Sequence, residues 1–260
     1  MIKLDLYQVD SFTGDLFKGN PAGVIFSKEL SDDLMQKIAL ENNLSETAFI
    51  TKEEENYNIR WFSPLMEIDL CGHATLAAGH IYFTEIDTDS NHISFNSKSG
   101  ILNVSKENNF INLDFPRDNF KPINLSEDLI KVLGERPEEI YQGRDDVMCI
   151  FNNELTVQNL KPDMEELKKI PVRGLIASAP ASDVDFVSRC FFPITGVDED
   201  PVTGSAHTTL TPYWSNKLNK KNLTAKQISS RGGFLKCRLI EDRVVISGEA
   251  VTYMKASILI

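Results

Sequence analysis

Cys71-Gly72-His73-Ala74-Thr75 and Thr203-Gly204-Ser205-Ala206-His207 are two versions of one short glycine turn, their glycines 132 positions apart in a chain of 260 residues. Each runs into a segment that reads as a helix. Further matches keep nearly the same spacing. Arg60-Trp61-Phe62-Ser63-Pro64 matches Arg189-Cys190-Phe191-Phe192-Pro193, and Ser97-Lys98-Ser99-Gly100 matches Ser229-Ser230-Arg231-Gly232. Asp33-Leu34-Met35 through Ile38 resembles Asp163-Met164 through Leu167. Arg, Pro and Gly recur in register, not only apolar residues, which favours two homologous units of about 130 residues, an ordinary domain size. The division expected is 1–117 and 118–260, with the final strand able to pack on the first domain.

The segment after the first turn, Ala74 to Phe83, has almost no polar side. A helix apolar all round has to be surrounded by protein. Short strands predicted at 92–96, 101–104 and 110–115 can wrap it, as can those at 4–12, 24–26, 44–51 and 57–62. Gly19-Asn20-Pro21-Ala22-Gly23 reads as turn chemistry before the 24–26 strand. Ser31 is an N-cap signal, with Asp32 and Asp33 in the first turn of a helix that ends near Asn42-Asn43. The second half repeats the plan, with strands at 147–151, 174–178, 186–192, 234–239 and 244–248 and helices at 164–169 and after Gly204. Pro212 falls inside that last segment and either kinks it or marks a first turn. The fold class expected is α+β: two pseudo-symmetric domains, each a barrel-like, mostly antiparallel sheet around a central helix.

Net charge is −11, from 38 acidic and 27 basic residues, and no basic cluster exceeds the pairs Lys168-Lys169 and Lys220-Lys221. Nucleic acid is therefore not an expected partner, because polyanion binding draws on concentrated positive charge. Acidic runs such as Glu53-Glu54-Glu55 read as solvated loops. No apolar run approaches the ~20 residues of a membrane span, and the first residues lack a signal-peptide core. Cys71, Cys149, Cys190 and Cys237 have no C-x-x-C spacing, so reduced thiols in a cytoplasmic protein are expected.

A glycine at a helix start exposes backbone N–H groups beside the positive end of the dipole. Gly72 and Gly204-Ser205 both fit a site for a carboxylate or a developing oxyanion; the plainer reading is a pair of tight turns. Glu46 is the most suggestive ionisable residue. Strand alternation places it with Leu44, Ala48 and Ile50, and an apolar face suits a proton carrier near neutral pH. The position 129 residues on is Leu175, so Glu46 has no counterpart in the second half. The alternative is an edge-strand Glu facing water. Asp200, in Asp198-Glu199-Asp200-Pro201-Val202-Thr203-Gly204, reads as a site residue or as the group that orients the second turn. A calcium loop starting at Asp198 would need Gly at Thr203 and Glu at Thr209, so that reading fails. His73 reads as a proton relay, a substrate contact or a satisfied cap. His80 is roughly 10 Å further along the helix, and neither it, His92 nor His207 has metal-ligand spacing. No metal and no cofactor is expected.

Gln8-Val9-Asp10-Ser11-Phe12, Gly19-Asn20-Pro21-Ala22-Gly23-Val24, Ser45-Glu46-Thr47-Ala48-Phe49, Asp69-Leu70-Cys71-Gly72-His73-Ala74-Thr75 and Asp200-Pro201-Val202-Thr203-Gly204-Ser205-Ala206 together resemble the phenazine-biosynthesis PhzF-like isomerases. The resemblance implies the diaminopimelate-epimerase-like fold, with the active site in the cleft between domains and cofactor-independent proton transfer on a small carboxylic acid. By motif, Glu46 is then the proton-shuttling residue, with His73, Asp200, Gly72, Gly204 and Ser205 lining the site. Members of that family commonly dimerise, so a homodimer is an expectation of the resemblance. Relatives that racemise amino acids use a cysteine at each turn. Here Thr203 stands where the second would be, which disfavours two-thiol racemisation. An epimerase using Glu46 with another base, and a non-catalytic carboxylate-binding protein, remain alternative readings.

Overall fold

The structure is a computed structural model that describes residues 2–54, 56–124 and 126–260. Glu55, the end of the acidic run, lies outside the described residues; Glu53 and Glu54 are exposed. The chain divides into two compact units, Met1–Phe115 with Val245–Ile260, and Pro116–Val244. The first holds β1 (Lys3–Ser11), β2 (Asn20–Ser27), α1 (Asp32–Asn42), β3 (Glu46–Glu53), β4 (Asn56–Phe62), β5 (Glu67–Ile68), α2 (Gly72–Ile81), β6 (His92–Ser97), β7 (Gly100–Glu107) and β8 (Phe110–Pro116). The second holds β9 (Lys121–Pro122), α3 (Glu127–Leu133), β10 (Glu139–Gln142), β11 (Asp146–Ile150), α4 (Glu154–Asn159), α5 (Met164–Leu167), β12 (Gly174–Pro180), β13 (Phe186–Phe192), β14 (Val197–Asp200), α6 (Gly204–Leu218), β15 (Asn222–Gln227) and β16 (Gly233–Ile240). Next come β17 (Arg243–Gly248), at the boundary, and β18 (Ala250–Leu259). The expected division, 118–260 with a final strand able to pack on the first domain, meets a boundary at Val245, and 245–260 group with the first unit. The reason is strand pairing: β18 runs antiparallel along the whole of β1, from Lys3↔Leu259 to Ser11↔Ala250.

Most neighbouring strands are antiparallel, and the parallel pairs β2–β3, β4–β6, β11–β12 and β13–β15 each have a helix between their strands. That is the connection parallel strands require. α2 packs against β1, β2, β3, β7 and β18. Its Ala74, Leu76, Ala77, Ala78 and Ile81 are fully buried, as an all-round apolar helix demands. Its α-helical bonding ends at Ile81, two residues before the sequence expectation, and Tyr82–Ile86 continue as one π turn. Gly79 sits where a Cβ would lie 2.7 Å from the Val104 methyl of β7. Gly79→Ala therefore overpacks the helix against a stiff β-branched side chain. A loss of about 1–2 kcal/mol in urea unfolding is expected, beyond what alanine's helix propensity returns.

Pro212 neither starts α6 nor ends it. The Thr208 carbonyl it leaves without an intrahelical donor accepts the Asp118 N–H at 3.2 Å, and the Asp118 carboxylate accepts the Thr209 hydroxyl at 2.8 Å. Three further sequence readings shift. β2 begins at Asn20, so only Gly19 (φ +64) is turn, while Asn20 and Pro21 already pair with Ser11 and Asp10. β3 begins at Glu46, because Asn43 caps α1 in the left-handed region and Leu44-Ser45 form the exit. Helices α3 and α4 and strands β5, β9, β10, β14, β15 and β18 have no assigned range in the sequence expectation, and all but β18 are seven residues or shorter.

The arginines aligned in sequence make the same bonds. Arg60 Nε and Nη2 donate to Glu67 at 2.7 and 2.9 Å, and Arg189 donates to Glu199 at 2.7 and 2.9 Å. Each guanidinium also lies over the phenylalanine two residues on, Phe62 at 5.1 Å and Phe191 at 4.9 Å.

Candidate active site

Glu46, Cys71 and His73 come together in the first unit, each offering an atom within 4.8 Å of the others. β3 delivers Glu46 opposite Ala22 of β2. Cys71 is the N-cap residue of α2 and gives it no side-chain cap, which leaves the first N–H groups of the helix to other partners. His73, in the first turn, is 5% exposed. Its Nε2 lies 3.0 Å from Glu46 Oε2, off the hydrogen-bond axis. Its Nδ1 lies 3.1 Å from the Asn20 amide nitrogen and 3.5 Å from the Cys71 sulfur. The Ser11 hydroxyl donates to the His73 carbonyl at 2.8 Å.

Burial opposes a charged His73, but the adjacent Cys71 and Glu46 outweigh it and hold the imidazole well above its ordinary value. Of these two, Glu46 carries the effect at neutral pH. Burial, with Glu46 nearby, pushes the Cys71 thiol up to about 11, so it is uncharged there. Cys71 and Glu46 also flank opposite nitrogens of the ring, so the three donors bridge through the imidazole and do not converge on one lone pair as a chelate would. All four cysteines are buried. Native protein is expected to be alkylated by iodoacetamide at pH 8 about 100-fold more slowly than a free thiol, with all four sites reacting after denaturation.

In the second unit the Thr203 hydroxyl donates to Asp200 Oδ2 at 2.5 Å and does not cap α6. Gln227, fully buried, accepts the Thr203 N–H at 2.8 Å and donates to the Asp200 carbonyl at 2.7 Å and to Thr203 Oγ1 at 3.1 Å. Gly204 is buried at the helix start, and Ser205 beside it is half-buried. The remaining interior histidines are structural. Burial brings both His80 and His207 down to about 4. His80 Nε2 meets the Thr252 hydroxyl at 2.9 Å, and His207 Nδ1 donates to the Thr203 carbonyl at 2.8 Å. Sequence reasoning missed Asn20, Ser11 and Gln227. The first two lie in quoted motifs, but their partner is more than fifty residues away.

Mixed strand pairing, packed against α2 in the first unit and against α6 in the second, gives an epimerase-like architecture. The chain belongs to the PhzC-PhzF family, described as phenazine biosynthesis-like proteins, whose model matches residues 9–256. It is 46% identical over 252 residues to an uncharacterized isomerase of Pseudomonas aeruginosa, covering 96% of each chain. It superposes on a PhzF-family protein of Enterococcus faecalis with a TM-score of 0.96 at 43% identity, covering 100% of each chain. A probable proline racemase from Agrobacterium radiobacter shares the fold at a TM-score of 0.67 and 10% identity, covering 99% of this chain and 93% of that one. No helix among the described residues is long and apolar enough to cross a membrane.

Proposed function

We propose that this protein is a cofactor-independent isomerase that moves a proton between carbons of a small carboxylic acid. The observation that carries the reading is the Glu46–His73 pair, 3.0 Å apart at an uncapped helix start. With the pair's proton on His73, the Glu46 carboxylate is left to take one from carbon, and the electron pair moves into the neighbouring unsaturated system. Glu46, now protonated, returns the proton to another carbon. His73 positions or relays it, and the backbone N–H groups at Gly72 hold the carboxylate and the enol-like charge. The reading takes the two halves as copies of one ancestral unit in which only the first supplies the base. Nothing in it calls on a thiol pair. Thr203 commits its hydroxyl to Asp200, and Cys71 is an uncharged thiol at neutral pH.

The test is a panel of small unsaturated carboxylic acids incubated with the protein in D₂O and followed by NMR. Deuterium at a carbon together with double-bond migration supports the proposal. Deuterium with inversion at an unmoved stereocentre would replace it with an epimerase. Ligand-induced stabilisation with no exchange across the panel would replace it with a carboxylate-binding protein.

A further inference from the structure

The ring of His73 is gripped on its far side by a residue that has no charge to offer. Asn20 is fully buried and opens β2, directly opposite Ser11 of β1. The end of this two-stranded pair therefore holds His73 twice, through the Ser11 hydroxyl on its carbonyl at 2.8 Å and through the Asn20 amide on Nδ1 at 3.1 Å. Gly19 makes the approach possible, since at φ +64 a Cβ there would fall 2.2 Å from the Ser11 carbonyl oxygen.

An asparagine amide presents a donor on one edge and an acceptor on the other. Its N–H donates to a neutral imidazole with the lone pair on Nδ1, which puts the ring proton on Nε2 toward Glu46. Turned over, its carbonyl accepts Nδ1–H from an imidazolium. A carboxylate at this place would serve only the second state, and a hydrocarbon neither.

We propose that Asn20 is a positioning residue that serves His73 in both protonation states by turning its amide, leaving the ring free to gain and lose a proton beside Glu46. The proposal rests on the proton-transfer reading for its purpose, but not for its test. Among the described residues, the titratable groups facing His73 are Glu46 from β3 and Cys71 from the entrance of α2. Asp10, on β1, turns Oδ2 to the Phe17 N–H.

The experiment follows the His73 titration by long-range ¹H–¹⁵N NMR on full-length, ¹⁵N-histidine-labelled protein without substrate. Asn20→Asp is expected to raise the titration point by about one unit or more, through a new opposite charge on Nδ1. Asn20→Ala is expected to lower it, because the bond lost by the imidazolium is charge-assisted and stronger than the one lost by the neutral ring. Shifts of opposite sign are a signature that simple loosening of the fold does not produce. Shifts of the same sign, or none, overturn the proposal. If Asn20→Ala does not fold, the isosteric Asn20→Asp decides alone, and a titration unmoved in it overturns the proposal. On an acid that the wild type exchanges, Asn20→Asp is expected to lower kcat by roughly 10- to 100-fold with KM within about threefold. Because the NMR titration needs no substrate, a failure of the proton-transfer reading leaves the Asn20 result standing, and the reverse also holds.

Discussion

Glu46→Gln is expected to lower proton exchange into substrate by about 10³-fold, within the 10²–10⁴ range that a general acid–base residue supplies. The substitution is nearly isosteric and leaves the Ala22↔Glu46 register and the buried Ala48 and Ile50 untouched. It removes the ability to accept a proton from carbon and, with it, the negative charge that holds the His73 imidazole up. The melting temperature is expected to stay within about 2 °C, a shift worth under 1 kcal/mol in a chain of this size. Glu46→Asp keeps the carboxylate but withdraws it by one methylene from a contact of 3.0 Å, so it should retain more activity than the glutamine variant. A glutamine variant that turns over at the wild-type rate would remove Glu46 from the chemistry.

The second large effect concerns stability. Arg189 is 13% exposed. It holds Glu199 with two bonds and donates from Nη1 to the carbonyls of Val157, Gln158 and Leu160 at the end of α4. Arg189→Met leaves a carboxylate and several carbonyls without their donor at a mostly buried place. Breaking such a pair from one side costs about 3 kcal/mol or more, which corresponds to a fall of roughly 10 °C in Tm. Arg60→Met is the internal comparison. Arg60 is 31% exposed, and its second acceptor, Asp32, is 80% exposed, so water replaces much of what is lost and the fall should be about half as large. Equal destabilisation by the two variants would show that the carbonyl contacts at α4 contribute nothing.

The parts of this molecule that sequence revealed are those coded locally. The glycine turns announced α2 and α6 because a glycine at a helix start is a local signal, and the all-apolar stretch after Gly72 announced a wrapped helix. The unmatched Glu46 stood out because the other half offered Leu175. What stayed hidden depends on distant chain. Asn20 reads as turn chemistry until β1 is laid beside it, and its bond to His73 spans 53 positions. Gln227 carries no signal of its own in the sequence, yet it fixes the backbone around Thr203 from 24 positions away. Pro212 reads as a kink or a first turn because the donor that relieves it, the Asp118 N–H, lies far back in the chain.

The central claim is that Glu46 moves a proton between carbons of one small acid. The most direct measurement is deuterium incorporation by NMR in D₂O, with wild type and Glu46→Gln side by side on an acid that the wild type turns over. The account predicts deuterium at the carbon that gains the proton, with bond migration, in the wild type, and loss of about 99.9% of that rate in the glutamine variant. Exchange at an undiminished rate in Glu46→Gln would contradict it.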